Sequence, residues 1–192
     1  MTGRGSALTV GRLHYDGGGD WYANPSSLPN LLRAIRERTS LQTTDRERVV
    51  RLTDPSLSAV PYLYMTGHGN VLFSPEDARL LRRHLEQGGF LHADDNYGMD
   101  VSFRREIAKV FPDRPLADVP ADHPVYHLVY DFPNGPPKIH EHDGLRPRGS
   151  ASSSVGGWRS TIPTRRTSGT AGRTPRCTTI RNRCGSRPCG WE

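Results

Sequence analysis

The sequence predicts an α/β domain built on a mainly parallel sheet with helices on both faces. Three observations carry this prediction. Short apolar runs alternate with stretches of helical periodicity between residues 8 and 111, the pattern of successive βαβ units. The run Val60–Met65 is apolar and bounded by turn residues, as a strand covered on both faces should be. Between the runs stand sharp helix signals, above all Ser74-Pro75-Glu76-Asp77 at a start and Gly88-Gly89 at a stop.

The elements follow in order. Leu8–Tyr15 reads as the first strand, with Leu8, Val10 and Leu13 toward the core. It runs into Asp16-Gly17-Gly18-Gly19-Asp20-Trp21-Tyr22, where three glycines permit a sharp turn or a close approach to a ligand. No helix starts on these glycines, so they are not a dinucleotide-binding turn. Leu28, Leu31, Leu32 and Ile35 recur at helical spacing, with Ser26 or Ser27 as the expected cap and Pro29 in the first turn. Arg48–Leu52 is a short strand, followed by a turn at Asp54-Pro55. After Val60–Met65 comes a polar turn, Thr66–Asn70 (TGHGN).

The helix opened by Ser74 presents Ala78, Leu81 and Leu85 on one face, and His84, beside Arg82 and Arg83, is expected at the surface. Phe90–Ala93 is the next strand, and Asp94–Tyr97 the next polar turn. A third helix, Val101–Phe111, should bury Phe103, Ile107, Val110 and Phe111 before Pro112 stops it. Prolines then recur as far as Pro137. A short strand near Leu116–Val119, a turn at Asp122-His123-Pro124 and irregular or edge structure over Val125–Phe132 and Lys138–His140 are expected there. Ligands of parallel sheets bind beyond the carboxyl ends of the strands. The three polar turns all follow strands, so they are expected on one edge.

Length and charge bound the rest. A chain of 192 residues suits one core. Residues 1–144 hold 16 of the 26 Lys+Arg and 19 of the 20 Asp+Glu, a net charge of −3. Residues 145–192 hold ten Arg and one Glu, a net charge of +9. The overall charge of +6 is thus a property of the tail. Cys177, Cys184 and Cys189 all lie there too, so the body offers no disulfide, thiolate metal site or cysteine nucleophile. No apolar run is long enough to span a membrane, and the N-terminus lacks the apolar segment of a signal peptide. As written, the chain reads as a cytoplasmic protein. The expected organisation is an N-terminal extension (1–7), an α/β domain (8–144) and a basic tail (145–192).

The tail lacks lysine and interleaved aromatics, which disfavours nucleic acid as a partner. Its Arg, Gly, Ser, Thr and Pro are what GC-rich DNA yields when read out of frame. Back-translation of Trp158–Arg166 (WRSTIPTRR) with permitted codons, read one base earlier, gives VAVYYTYET. The following residues can give LGDGWEDPEVHNDPEPVRQQALRMG. The expectation is a frameshift near Gly144, an unordered tail, and a sheet left with an exposed edge prone to aggregation.

Several motifs in order, YDGGGDWYANPSSLPNLLRAIRE, YMTGHGN, GGFLHADD, SFRREIAKVFPD, DHPVYH and YDFPNGPPKIHEHDG, resemble a bacterial family catalogued as a domain of unknown function. That family falls within the class I glutamine amidotransferase-like group, beside the ThuA-like trehalose-utilisation proteins. The resemblance covers about residues 8–144 and continues into the reconstructed frame. It implies a flavodoxin-like three-layer sandwich, here without its C-terminal part. Amidotransferases of the group carry a Cys on a strand-to-helix elbow with a His partner. Here Phe90–Ala93 leads into Asp94-Asp95-Asn96 with no Cys, so glutaminase chemistry is not supported. The resemblance also implies the cell envelope or periplasm if the true start lies upstream.

The candidate chemistry lies in the turns. His68, between two glycines, is free of helix and strand and is positioned to meet a ligand. Asp94 and Asp95 point different ways, so one is expected toward a pocket as general base or metal ligand and the other as a helix cap. Asp16, Gly18, Asp20, Trp21, Asn70 and Asn96 are the candidate ligand-binding residues, with Trp21 and Tyr22 suited to stacking on a sugar ring. His140, His142 and Asp143 form a His-x-His cluster with metal-ligand spacing, and a divalent ion is the candidate cofactor. His123 and His127 are expected to be structural. The reading that follows is a domain that binds a small molecule or carbohydrate at the sheet edge. The alternatives are a non-catalytic interaction module of a cell-envelope assembly and a metal-dependent hydrolase.

Overall fold

Residues 7–135 and 149–152 are described by the computed structural model. β1 spans Val10–Leu13, β2 Arg48–Val50, β3 Tyr62–His68 and β4 Phe90–Tyr97. The four strands form one parallel sheet in the order β2-β1-β3-β4. Helix α1, Ser27–Arg38, packs Leu28 and Leu32 against Val10 and Tyr64 on one face. Helices α2, Pro75–Glu86, and α3, Asp100–Val110, cover the other face, where Leu13, Leu63, Met65, Leu81 and Val110 share the larger core. The result is a three-layer α/β sandwich of flavodoxin-like kind.

The layers follow from chain direction. From β1 the chain moves outward through α1 to β2, and from β3 it moves the opposite way through α2 to β4. Right-handed crossovers in opposite directions put their helices on opposite faces. The return from β2 to β3 uses only a short 3₁₀ turn, Leu57–Ala59.

Helix α2 is formed as its sequence predicts. Ser74 Oγ accepts the Asp77 N–H at 3.0 Å, and the Asp77 carboxylate accepts the Ser74 N–H at 3.0 Å, a complete capping box. Three expectations need correction. Neither Ser26 nor Ser27 caps α1: Ser26 takes the N-cap place without a side-chain bond, and Ser27 Oγ donates to the Asn24 carbonyl. Leu31 faces outward, because the buried stripe runs through Leu28 and Leu32 alone. His84 is buried, only 6% exposed. It lies one turn after Leu81 on the inward face and packs so closely on Gly89 that a Cβ there would stand 2.3 Å from the ring. Burial pushes the His84 imidazole below its ordinary pKa, against a raising contribution from the Pro61 carbonyl.

The strands also differ from expectation where it matters most. β3 continues three residues past Met65 and β4 continues to Tyr97, with the register unbroken from Tyr62–Phe90 to Gly67–Asp95. Thr66–His68 and Asp94–Asn96 are therefore strand residues, not turns. Backbone pairing between neighbouring strands outweighs the low strand propensity of Gly, Asp and Asn. Beyond α3 the chain forms β5, Ala117–Asp118, and a 3₁₀ turn at Pro124–Tyr126. Ser150–Ala151, inside the stretch read as tail, form β6 and pair antiparallel with β5. Among the described residues no helix is long and apolar enough to cross a membrane.

Candidate functional site

The order β2-β1-β3-β4 places a topological switch between β1 and β3. Their following loops leave in opposite directions, and the crevice between them is where such sheets hold ligands. The loop after β1 carries Asp16–Trp21, and the end of β3 carries His68 and then Asn70. The structure brings these two segments together.

Asp20 grips His68 twice. One carboxylate oxygen accepts the His68 backbone N–H, and the other lies 2.9 Å from the ring Nδ1. The ring is half exposed and the carboxylate one-third exposed. Burial opposes the charge on Asp20, but the bonds from His68 outweigh it and hold its carboxyl below the usual aspartate range. Around the pair, Gly19 N–H donates to the Asn70 carbonyl at 3.1 Å, and Asn70 Nδ2 donates to the Gly17 carbonyl at 3.3 Å. The contact is closed by glycines. At Gly67, with φ of +145°, a Cβ would stand 2.4 Å from Tyr15 Oη and 2.9 Å from Asp20. At Gly19 it would meet the carbonyls of His68 and Asn70, both at 2.9 Å. Thus DGGGD and TGHGN are two halves of one close contact. At Gly18, by contrast, the space around the backbone is open.

At the same edge of the sheet lies a cavity of about 250 Å³, lined by His14, Tyr15 and Asp16 after β1, by Arg51–Thr53 after β2, and by the start of α2 at Ser74 and Asp77. Arg51 bonds Asp16 at 3.2 Å and approaches His14 Nε2 at 2.8 Å. His14 stacks on Trp21 with centroids 4.1 Å apart, so one face of the indole expected to meet a sugar is already covered. Burial lowers the His14 pKa, the Arg51 charge lowers it further, and Asp16 opposes both. A neutral His14 is the form that can accept from Arg51. Tyr15 lines the cavity, and its hydroxyl donates to the Thr66 carbonyl of β3 at 3.1 Å. Burial, with Asp20 and Asp95 nearby, raises the Tyr15 pKa to about 12.

Asp94 and Asp95 do point opposite ways, but their hydrogen bonds are not with His68. Asp94 accepts the Tyr64 hydroxyl at 2.7 Å. Asp95 accepts the N–H groups of Met99 and Asp100, at 2.9 and 3.0 Å, and so caps α3. Asn96 Oδ1 accepts from Asn24 Nδ2 at 2.9 Å. His127 bonds Asp131 and the Ala121 carbonyl, and the Asp131 carboxylate foremost raises its pKa. His140, His142 and Asp143 lie outside the described residues. Among the described residues no group of three or more His, Cys, Asp or Glu side chains could hold a metal ion.

Sequence reasoning missed three supporting residues. Arg12 is buried, 3% exposed. It donates to the carbonyls of Ala23 at 2.8 Å and Asn24 at 3.3 Å and pairs with Glu47 at 3.2 Å. It thereby clamps the far end of the β1 loop, where Asn24 holds a left-handed φ of 54°. Glu106 on α3 is fully buried and anchors the loop after β3 through the Phe73 N–H at 2.8 Å. Arg51 entered as the tail of a strand, with nothing local to mark it as cavity lining.

The fold and this edge define a parallel α/β sandwich with polar residues gathered at its switch-point crevice. The chain belongs to the family described as a domain of unknown function (DUF4159), whose family model matches residues 9–169. No curated protein matches the chain.

Proposed function

We propose that this domain binds a small polar molecule or carbohydrate at the carboxyl edge of its sheet, on an amidotransferase-like, ThuA-like scaffold without the Cys nucleophile. The observation that carries the reading is the cavity between the β1, β2 and β3 loops, lined by Arg51, His14, Asp16, Ser74 and Asp77. Its size suits a monosaccharide rather than a nucleotide. Arg51 is already paired with Asp16, and Asp77 adds a further negative charge. That balance favours a neutral polyol over a strongly anionic ligand. The absence of Cys at Asp94-Asp95-Asn96, in the last part of β4, supports the loss of glutaminase chemistry.

Ligand-observed NMR and calorimetry with neutral, amino and acidic monosaccharides would test this. Binding of at least one neutral sugar is expected, with Arg51→Ala weakening it about tenfold or more through loss of a charge-assisted hydrogen bond. Absence of binding across the panel, or equal affinity in the variant, would remove the reading.

We infer separately that the gene is read out of frame beyond about Gly144. The jump from acidic to Arg-rich composition and the β-rich run VAVYYTY in the shifted frame support this. The family match running on to residue 169 stands against it. An intact frame in resequenced native DNA would refute it.

A further inference from the structure

We propose that Asp20 and His68 form a proton-transfer dyad, with His68 Nε2 as general base in hydrolysing an ester of a small polyol, such as an O-acetylated sugar. The geometry comes first. Asp20 accepts from both the backbone and the ring of His68. A carboxylate facing Nδ1 keeps a proton on that nitrogen and leaves the Nε2 lone pair available. The His68 side chain is 50% exposed. One bond from the backbone N–H and one from the ring tie His68 to the same carboxylate, and Gly19 and Gly67 let the two segments close on each other only because neither carries a Cβ. The pair stands at the switch-point crevice, next to Tyr15 of the cavity wall.

The class of reaction follows from what surrounds the ring. Its side-chain hydrogen bond is with Asp20, so among the described residues no hydroxyl or thiol is aligned with it as a nucleophile. Water is then the group it activates. Glycosidic cleavage needs two carboxyl groups facing across a gap, whereas Asp94 is held by Tyr64 and Asp95 by the start of α3. Ester cleavage needs one base that returns its proton. Water gives a proton to Nε2 as its oxygen bonds to the acyl carbon. The bond from that carbon to the alkoxy oxygen then breaks, and Nε2 returns the proton to the leaving alcohol. Acid and alcohol are the products, and no oxidant or reductant is involved. The proposal rests on the cavity reading in that the polyol part of the ester occupies the cavity.

The test is acetate release from mono-acetylated monosaccharides, followed by proton NMR. Nitrophenyl esters are unsuitable because any exposed imidazole attacks them. The intact protein is expected to release acetate from at least one of the acetylated monosaccharides. His68→Gln and Asp20→Asn should each slow release about 100-fold or more, with the melting of His68→Gln unchanged. His68→Gln, altering a half-exposed side chain, keeps the test valid if Asp20→Asn unfolds. Sugar binding without acetate release, or release undiminished in His68→Gln, overturns the dyad and leaves the cavity reading standing. Neither binding nor release overturns both.

Discussion

Glu106→Ala is expected to lower stability by about 3–5 kcal/mol in urea unfolding, as removal of one partner from a buried charge network does. Glu106 has 0% exposure on the inner face of α3. Its carboxylate accepts the Phe73 N–H at 2.8 Å, Lys109 Nζ at 2.5 Å and Arg105 Nε at 2.7 Å. Alanine leaves that N–H without its acceptor in the core and opens a cavity. It also loosens Arg105, which bonds Asn70 Oδ1 at 3.1 Å and the Val71 carbonyl at 3.0 Å. Burial works against the charge on Glu106, yet the bonds from Lys109, Phe73 and Arg105 outweigh it and lower its pKa from the ordinary 4.5. A carboxyl whose pKa falls on folding stabilises the fold above its unfolded pKa. That contribution drains as pH falls through the folded value. Stability of the parent protein should therefore fall below about pH 4.5, and Glu106→Gln should flatten this part of the profile. A Glu106→Ala loss below 1 kcal/mol would show that the network contributes little.

Arg12→Met should cost about 3 kcal/mol or more and abolish ligand binding at the crevice. Methionine fills a similar volume but donates nothing. The carbonyls of Ala23 and Asn24 lose their donors, and Glu47, nearly buried, loses its counter-charge. Asn24 holds its left-handed backbone within this clamp. Without it the loop carrying Asp16 and Asp20 should lose its registration with β3. Thermal melting and the ligand-observed NMR described above would show both effects together. A variant that melts like the parent and binds equally would mean that Arg12 does not hold the loop.

The α/β class and the helices were legible because they depend on local signals. The capping box at Ser74 and Asp77 and the apolar faces of α2 and α3 are written within a dozen residues each. The lengths of β3 and β4 were not. Thr66-Gly67-His68 and Asp94-Asp95-Asn96 have turn composition, and they are strand because each lies beside the other in parallel register. His84 looked exposed because its neighbours Arg82 and Arg83 are charged, yet helix geometry turns it inward with Leu81. Arg12 and Glu106 carried no signal, since a buried charge is marked by the partners that surround it and those lie far away in sequence.

By itself the sequence determined that polar, glycine-rich segments gather at the carboxyl ends of the strands of a parallel sheet. Which residues meet there was decided by the tertiary structure alone. His68 was legible as a candidate site residue and Asp20 as a polar loop residue, but the two stand 48 residues apart in sequence. It exists because β1 and β3 are neighbours at the switch point, and because Gly19 and Gly67 let two backbones approach to a distance that any side chain would forbid.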